Sequence, residues 1–178
     1  MDTSKLLVVV DPQVDFITGI LGNEDAEKCV EQIVEKIDNW DGLIYATMDC
    51  HDEYNYDDTV EGMEFPKHCV KGTDGWIIEP RIMDVIKRHG AYMVQEKQNS
   101  FIDSSLSWYV ERHEISTVEF IGYVTDICVI SNALMLRGCK PKLDIHVDQS
   151  CCVGTSYSNH CRALSVMQSC CIAIDNWE

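Results

Sequence analysis

The chain has 178 residues and a formal net charge of −16, with 46% apolar and 25% charged residues. That length suits one folded unit with a real core, so residues 1–178 are read as a single domain. The charge argues against nucleic acid and anionic membrane as partners, since both call for a basic surface, and no apolar run reaches the length of a bilayer span. The start, Met1-Asp-Thr-Ser-Lys5, lacks the basic and apolar parts of a signal peptide, and a cytoplasmic location is expected. Ten cysteines in that setting are expected to be reduced thiols, with the neighbours Cys151-Cys152 and Cys170-Cys171 serving as small apolar fillers.

Leu6 to Val10 is an unbroken apolar run, as in a strand buried on both faces. It ends at Asp11-Pro12, where the proline removes a donor and turns the chain off the sheet. A loop from Gln13 to Asn23 carries Asp15 and Phe16. From Glu24 to Trp40, Val30, Ile33, Val34 and Ile37 recur at helical spacing. Leu43 to Met48 reads as a second strand, and it too ends in an aspartate, Asp49. The acidic stretch from Cys50 to Thr73 is longer than most connections. It holds His51, Glu61, Glu64 and His68, with Asp52, Asp57 and Asp58 read as a solvated face. Ile82, Val85 and Ile86 mark a short helix closed by Gly90. Ala91 to Val94 is a third strand, followed by Glu96-Lys97, and Ser104 to His113 a further helix. Thr117 to Ile121 is a fourth strand that Gly122 ends. Thr125 or Asp126 then caps a helix running to about Arg137. Leu143 to Val147, a helix from Thr155 to Ser169, and Cys171 to Ile174 complete the chain. His89 and His113 close helices, while His146 and His160 show no partner.

Strands alternating with helices predict a three-layer α/β/α fold, Rossmann-like, around a mainly parallel six-stranded sheet. Right-handed crossovers place the C-terminal ends of the strands on one edge. Asp11, Asp49, the Glu96-Lys97 pair and Cys128 are therefore expected on one rim, where such folds bind ligands.

Two constellations stand on that rim. Cys128 falls in the first turn of its helix, where the dipole and free N–H groups favour a thiolate and an oxyanion. Asp11 can take its proton, and the Lys97 ammonium favours the anion. The plainer alternative is an ordinary Asp11–Lys97 ion pair beside a buried thiol. The second constellation is Asp49 and His51, which share a face of an extended segment, with His68 downstream and Glu61 or Glu64 as a further contact. One carboxylate and two imidazoles suit Zn²⁺, Fe²⁺ or Mn²⁺; the alternative is a set of solvated loop residues.

The motifs Val9-Val-Asp-Pro-Gln-Val-Asp-Phe16, Asp49-Cys-His51, Phe65-Pro-Lys-His-Cys-Val-Lys-Gly-Thr73, Glu96-Lys97 and Gly122-Tyr-Val-Thr-Asp-Ile-Cys-Val129 together cover nearly the whole chain. In combination they resemble the isochorismatase-like cysteine hydrolases, and within them the nicotinamidase/pyrazinamidase branch. The resemblance implies Asp11 as general base, Lys97 as its partner and Cys128 as nucleophile. It implies one divalent metal on Asp49, His51 and His68, with Glu61 added in some members; Zn²⁺ comes first, with Fe²⁺ or Mn²⁺ as alternatives. It implies oxyanion donors at the N–H groups of Val124 and Cys128, a cis peptide between Val124 and Thr125, and Phe16 and Phe65 as walls for a ring. Phe65 stands where many members have tryptophan, and Lys67 where proline is frequent. The implied activity is hydrolysis of nicotinamide, or a related pyridine or pyrazine carboxamide, to the acid and ammonia, as in NAD salvage. Other outcomes are a relative acting on a ureido or carbamoyl amide or a vinyl ether, or a non-catalytic metal-binding relative. A homo-oligomer is compatible with all of these.

Overall fold

Five consecutive apolar residues with no exposed surface, Leu6 to Val10, make β1 (Lys5–Val10) the centre of the molecule. The structure is a computed structural model and describes residues 1–177. β1 is flanked by β2 (Leu43–Asp49) and β4 (Thr117–Tyr123); β3 (Tyr92–Lys97) lies outside β2, and β5 (Asp144–Val153) and β6 (Ala173–Asp175) lie beyond β4. Every pairing is parallel, in the order β3-β2-β1-β4-β5-β6. The expected mainly parallel sheet is therefore wholly parallel.

Alternation along β1 splits the core in two. Leu6, Val8 and Val10 face one layer, with Leu106 and Val110 of α5 (Ser105–Arg112), Ala133 and Leu136 of α6 (Ile130–Cys139), and Leu164 and Met167 of α7 (Tyr157–Ser169). Leu7 and Val9 face the other, with Val30, Ile33 and Ile37 of α2 (Glu24–Asp38) and Ile82, Val85 and Ile86 of α4 (Pro80–His89). Fully burying each of those α2 side chains contributes about 1.5–3 kcal/mol, which is what holds a helix of this length on the sheet. Local signals set the ends. Asn23 accepts from Ala26 N at 2.9 Å to open α2, Glu79 accepts from Ile82 N at 3.1 Å beside Pro80 at the start of α4, and Gly90 ends α4 with φ +82°.

Several boundaries differ from those expected. Gln13 to Asn23 contains a single helical turn, α1 (Val14–Ile17). β3 continues to Lys97, which lies beside Asp49 in register. The two-residue period then turns Lys97 inward and Glu96 out, so Glu96 leaves the expected rim and pairs with Lys71 at 2.6 Å. β4 runs through Gly122, whose φ of +115° and close approach to Val10 only glycine tolerates. β5 extends to Val153 because its register shifts between Phe120 and Gly122 of β4, which lets Asp148-Gln-Ser150 sit in a strand whose apolar pattern they interrupt.

The long segment after β2 is not structureless. It holds a 3₁₀ turn (Tyr56–Asp58) and α3 (Val60–Glu64), which Thr59 caps by accepting from Gly62 N at 2.9 Å. Its ends are joined where His51 N donates to Cys69 O and Lys71 N to His51 O, both at 3.0 Å. All ten cysteines are free thiols; Cys151 and Cys152 are buried as expected, but Cys170 and Cys171 are exposed, because the turn after α7 turns them outward.

Candidate active site

Three strand ends and one turn meet at the edge where β1, β2, β3 and β4 finish. Asp11, just past β1, has no exposed surface and a φ of +44°, a region aspartate tolerates better than most residues. Its N–H donates to Thr47 Oγ1 at 3.0 Å, and the Thr47 hydroxyl donates back to Asp11 Oδ1 at 2.7 Å. Lys97 Nζ lies 2.7 Å from Asp11 Oδ2 and 3.4 Å from Asp49 Oδ1, and donates to Asn99 O at 3.0 Å and Cys128 Sγ at 3.6 Å. One ammonium thus touches both the buried acid and the thiol.

The electrostatics follow from burial. Burial pushes the Asp11 carboxyl above its usual range against the pull of Lys97. It pushes the Cys128 thiol well above its usual value, with Lys97 offsetting only part. For Lys97 burial opposes the charge, but Asp11, Cys128 and Asp49 outweigh it and hold the ammonium protonated. The thiol is 4% exposed, and this burial opposes the thiolate that the helix start was expected to favour. Asp11 is the carboxylate beside the thiol.

The turn bearing Cys128 is a π-helical turn (Thr125–Val129) leading into α6, with no side-chain cap. The hydroxyl of Thr125 and the carboxylate of Asp126 bond to α7 and the residues before it, which is why neither caps this helix. The cis peptide joins Tyr123 to Val124, one bond earlier than the resemblance implied, where the last residue of β4 leaves the sheet.

Asp49, His51, Glu61 and His68 form the second cluster, each with one ligand atom and all four atoms within 4.8 Å of one another. Asp49 Oδ2 lies 3.1 Å from His51 Nε2 and 3.5 Å from His68 Nε2; Glu61 Oε1 lies 3.9 and 3.8 Å from the same nitrogens. Burial works against the Asp49 charge, but the hydrogen bonds of His51 and His68 and the Lys97 charge hold its carboxyl far below the usual range. His68 Nδ1 is 2.9 Å from Pro66 O, an acceptor only, so Nδ1 carries a hydrogen and Nε2 faces the cluster. Two imidazoles, two carboxylates and a buried Asp49 Oδ1 without a hydrogen bond fit a divalent cation such as Zn²⁺, Fe²⁺ or Mn²⁺. Of the two glutamates left open by the sequence, Glu61 enters the cluster, while Glu64 is exposed.

Phe16, Phe65 and Ile127 wall a cavity of about 240 Å³, with Asp49, Glu61, His68 and Cys128 also reaching it. Phe16 is buried and Phe65 lies at the surface. Four buried polar residues went unread in the sequence. Thr47 holds Asp11. Gln13 Nε2 donates to Asp49 O at 2.8 Å and Trp76 O at 2.7 Å, while its Oε1 accepts from Asp49 N at 2.6 Å. Asn132 accepts from Ile102 N at 2.5 Å and donates to Ser100 O and Cys128 O. His160 bonds Thr125. Two had a signal: Gln13 lies within the Val9–Phe16 motif, and Thr47 lies two residues before Asp49 and so on the same strand face.

The Isochorismatase domain family matches residues 5–178. The nicotinamidase of Saccharomyces cerevisiae is 28% identical over 172 residues, spanning 73% of this chain and 80% of its own. Among solved structures, the pyrazinamidase/nicotinamidase of Streptococcus mutans superposes with a TM-score of 0.85 at 28% identity, covering 96% of this chain and 99% of that one. The pyrazinamidase of Pyrococcus horikoshii, solved in complex with zinc, gives a TM-score of 0.82 at 24% identity over 98% of this chain and 99% of that one. With a match running from β1 to the C-terminus, this chain belongs to the isochorismatase family.

Proposed function

We propose that the protein is an amidohydrolase that converts nicotinamide to nicotinate and ammonia through a thioester on Cys128. The observation that carries this reading is the Lys97 ammonium, 2.7 Å from Asp11 and 3.6 Å from the Cys128 sulfur, in a site whose small cavity also reaches a four-ligand metal cluster. The 28% identical relatives named for nicotinamidase and pyrazinamidase activity support it.

Asp49, His51, Glu61 and His68 would hold the cation, with zinc first in view of the zinc-bound relative. When bound, such an ion supplies a Lewis acid suited to an electron-rich ring nitrogen. The chain's own residues do the rest. Phe16 and Phe65 hold the ring and present the carboxamide to Cys128, and positioning of that kind is itself a large part of the rate. Asp11 takes the thiol proton while Lys97 stays charged beside the sulfur. Sulfur attacks the amide carbon, and the N–H groups of Val124 and Cys128 receive the oxyanion, each donor worth about 2.7–4 kcal/mol. Asp11 returns its proton to the departing nitrogen, and ammonia leaves. Water, deprotonated by Asp11, then adds to the thioester; the C–S bond breaks, Asp11 returns the proton to the Cys128 sulfur, and the acid leaves as nicotinate with its own proton lost to solvent. In the cell this is a small-molecule reaction of NAD salvage, and the place for it is the cytoplasm.

The test is ammonia release from nicotinamide by purified protein, with metal content measured in the same sample. Steady release by metal-loaded protein is expected. No release by folded, metal-loaded protein would overturn the assignment.

A further inference from the structure

The proposed nucleophile and its oxyanion donors sit in one short stretch, Val124 to Cys128, and that stretch is tied down from outside the site. His160, on the first turns of α7, is 8% exposed, and its Nδ1 lies 2.8 Å from the Oγ1 of Thr125, which has no exposed surface. Burial pushes the imidazole below its usual range, so this is a contact between neutral groups. One residue on, the Asp126 carboxylate accepts from Thr155 N at 2.7 Å and from the Thr155 hydroxyl. A side chain on Gly154 would collide with both the Asp126 carboxylate and His160, so the join leaves no slack. Thr155 itself reaches the cavity. His160, Asp126 and Thr155 bond to one another's neighbours and not to Asp11 or Lys97, and none has a part in the chemistry derived above.

We infer that His160 is a positioning residue: through Thr125 it fixes the backbone of the Val124–Cys128 turn, and thereby the direction of the oxyanion donors and of the thiol. The turn needs an outside anchor because it has no side-chain cap of its own. An anchor of this kind acts mainly on the transition state, since Phe16, Phe65 and the metal ligands lie on other segments and Ile127 is the ring wall that the turn itself supplies. This inference rests on the amidase reading for its kinetic consequence, but not for its structural one.

Four variants test it: His160→Ala, His160→Asn, Thr125→Val, and the double variant of His160→Ala with Thr125→Val. His160→Ala is expected to lower kcat for nicotinamide by about 10- to 100-fold with KM changed little, the scale set by small misplacements of reacting groups. His160→Asn places an amide nitrogen where Nδ1 was and is expected to restore most of the loss. Thr125→Val is expected to match His160→Ala, and the double variant to lose no more than either, because both cut one contact. Amide exchange across residues 124–129, read by mass spectrometry, is expected to speed up several-fold in His160→Ala and return toward wild type in His160→Asn. If His160→Ala fails to fold, Thr125→Val carries the same measurements. Unchanged exchange in that segment, a loss that falls on KM, no rescue by asparagine, or additive losses would each overturn the inference. A wild-type chain inactive on nicotinamide would instead refute the amidase reading, and the exchange measurement would still decide the anchor.

Discussion

Asp11 is a carboxylate with one hydroxyl and one ammonium beside it and no exposed surface. Its raised pKa has a direct kinetic consequence. On the proposed mechanism the working form holds Asp11 ionised and Cys128 protonated, so activity is expected to fall as pH drops through the Asp11 value. Burial is the larger influence and moves that value up, so the acid limb of kcat/KM is expected above the ordinary aspartate range. The thiol value moves up as well, so Cys128 should give no alkaline limb near neutrality. A pH–rate profile checks both; an acid limb at or below that of a free carboxylate would count against Asp11 as base. Asp11, Asp49, His51, His68, Lys97 and Cys128 were legible in the sequence because each lies at or near a strand end or within a motif. Asn132 and His160 were not, since their meaning lies in partners 30 and 35 residues away along the chain.

At the scale of elements, two segments without a clear period do most of the assembling. The stretch between β2 and α4 folds back so that Glu61 of α3 and His68 face His51 across its neck. Glu61→Gln is expected to lower bound metal in a competition assay, while Glu64→Gln, altering an exposed side chain outside the cluster, leaves it unchanged; equal losses would remove Glu61 from the ligand set. The stretch after β3 is pinned by Asn132 of α6, which ties Ser100 and Ile102 to the Cys128 carbonyl. Asn132→Ala leaves the Ile102 N–H buried without its acceptor, and urea unfolding should show a loss of about 1–3 kcal/mol. The core of every strand and long helix was readable from its apolar spacing. The ends of β3, β4 and β5 were not. In β3 and β5 polar or charged residues occupy strand positions, and in β4 a glycine with positive φ continues a strand it was expected to end.

For the whole molecule, the strand order decides where chemistry can occur. Neighbours β1 and β4 send their crossovers to opposite faces, and a crevice opens beyond their ends. Asp11 leaves β1 and the Cys128 turn leaves β4 at that crevice, with Asp49 and Lys97 arriving from β2 and β3. Alternation of strands and helices made this arrangement readable before any contact was known. The Asp49–His51–Glu61–His68 cluster lies on the same edge, so on the proposed reading stripping metal with a chelator is expected to abolish nicotinamide turnover and Zn²⁺ to restore it. Full activity without metal would favour a ureido, carbamoyl or vinyl-ether substrate.

The central claim is that the buried sulfur of Cys128 carries the acyl group. Its most direct test is ammonia release from nicotinamide by Cys128→Ala, with bound metal quantified in the same preparation. The expected result is no release above background with metal retained at the wild-type level; release at the wild-type rate would contradict it.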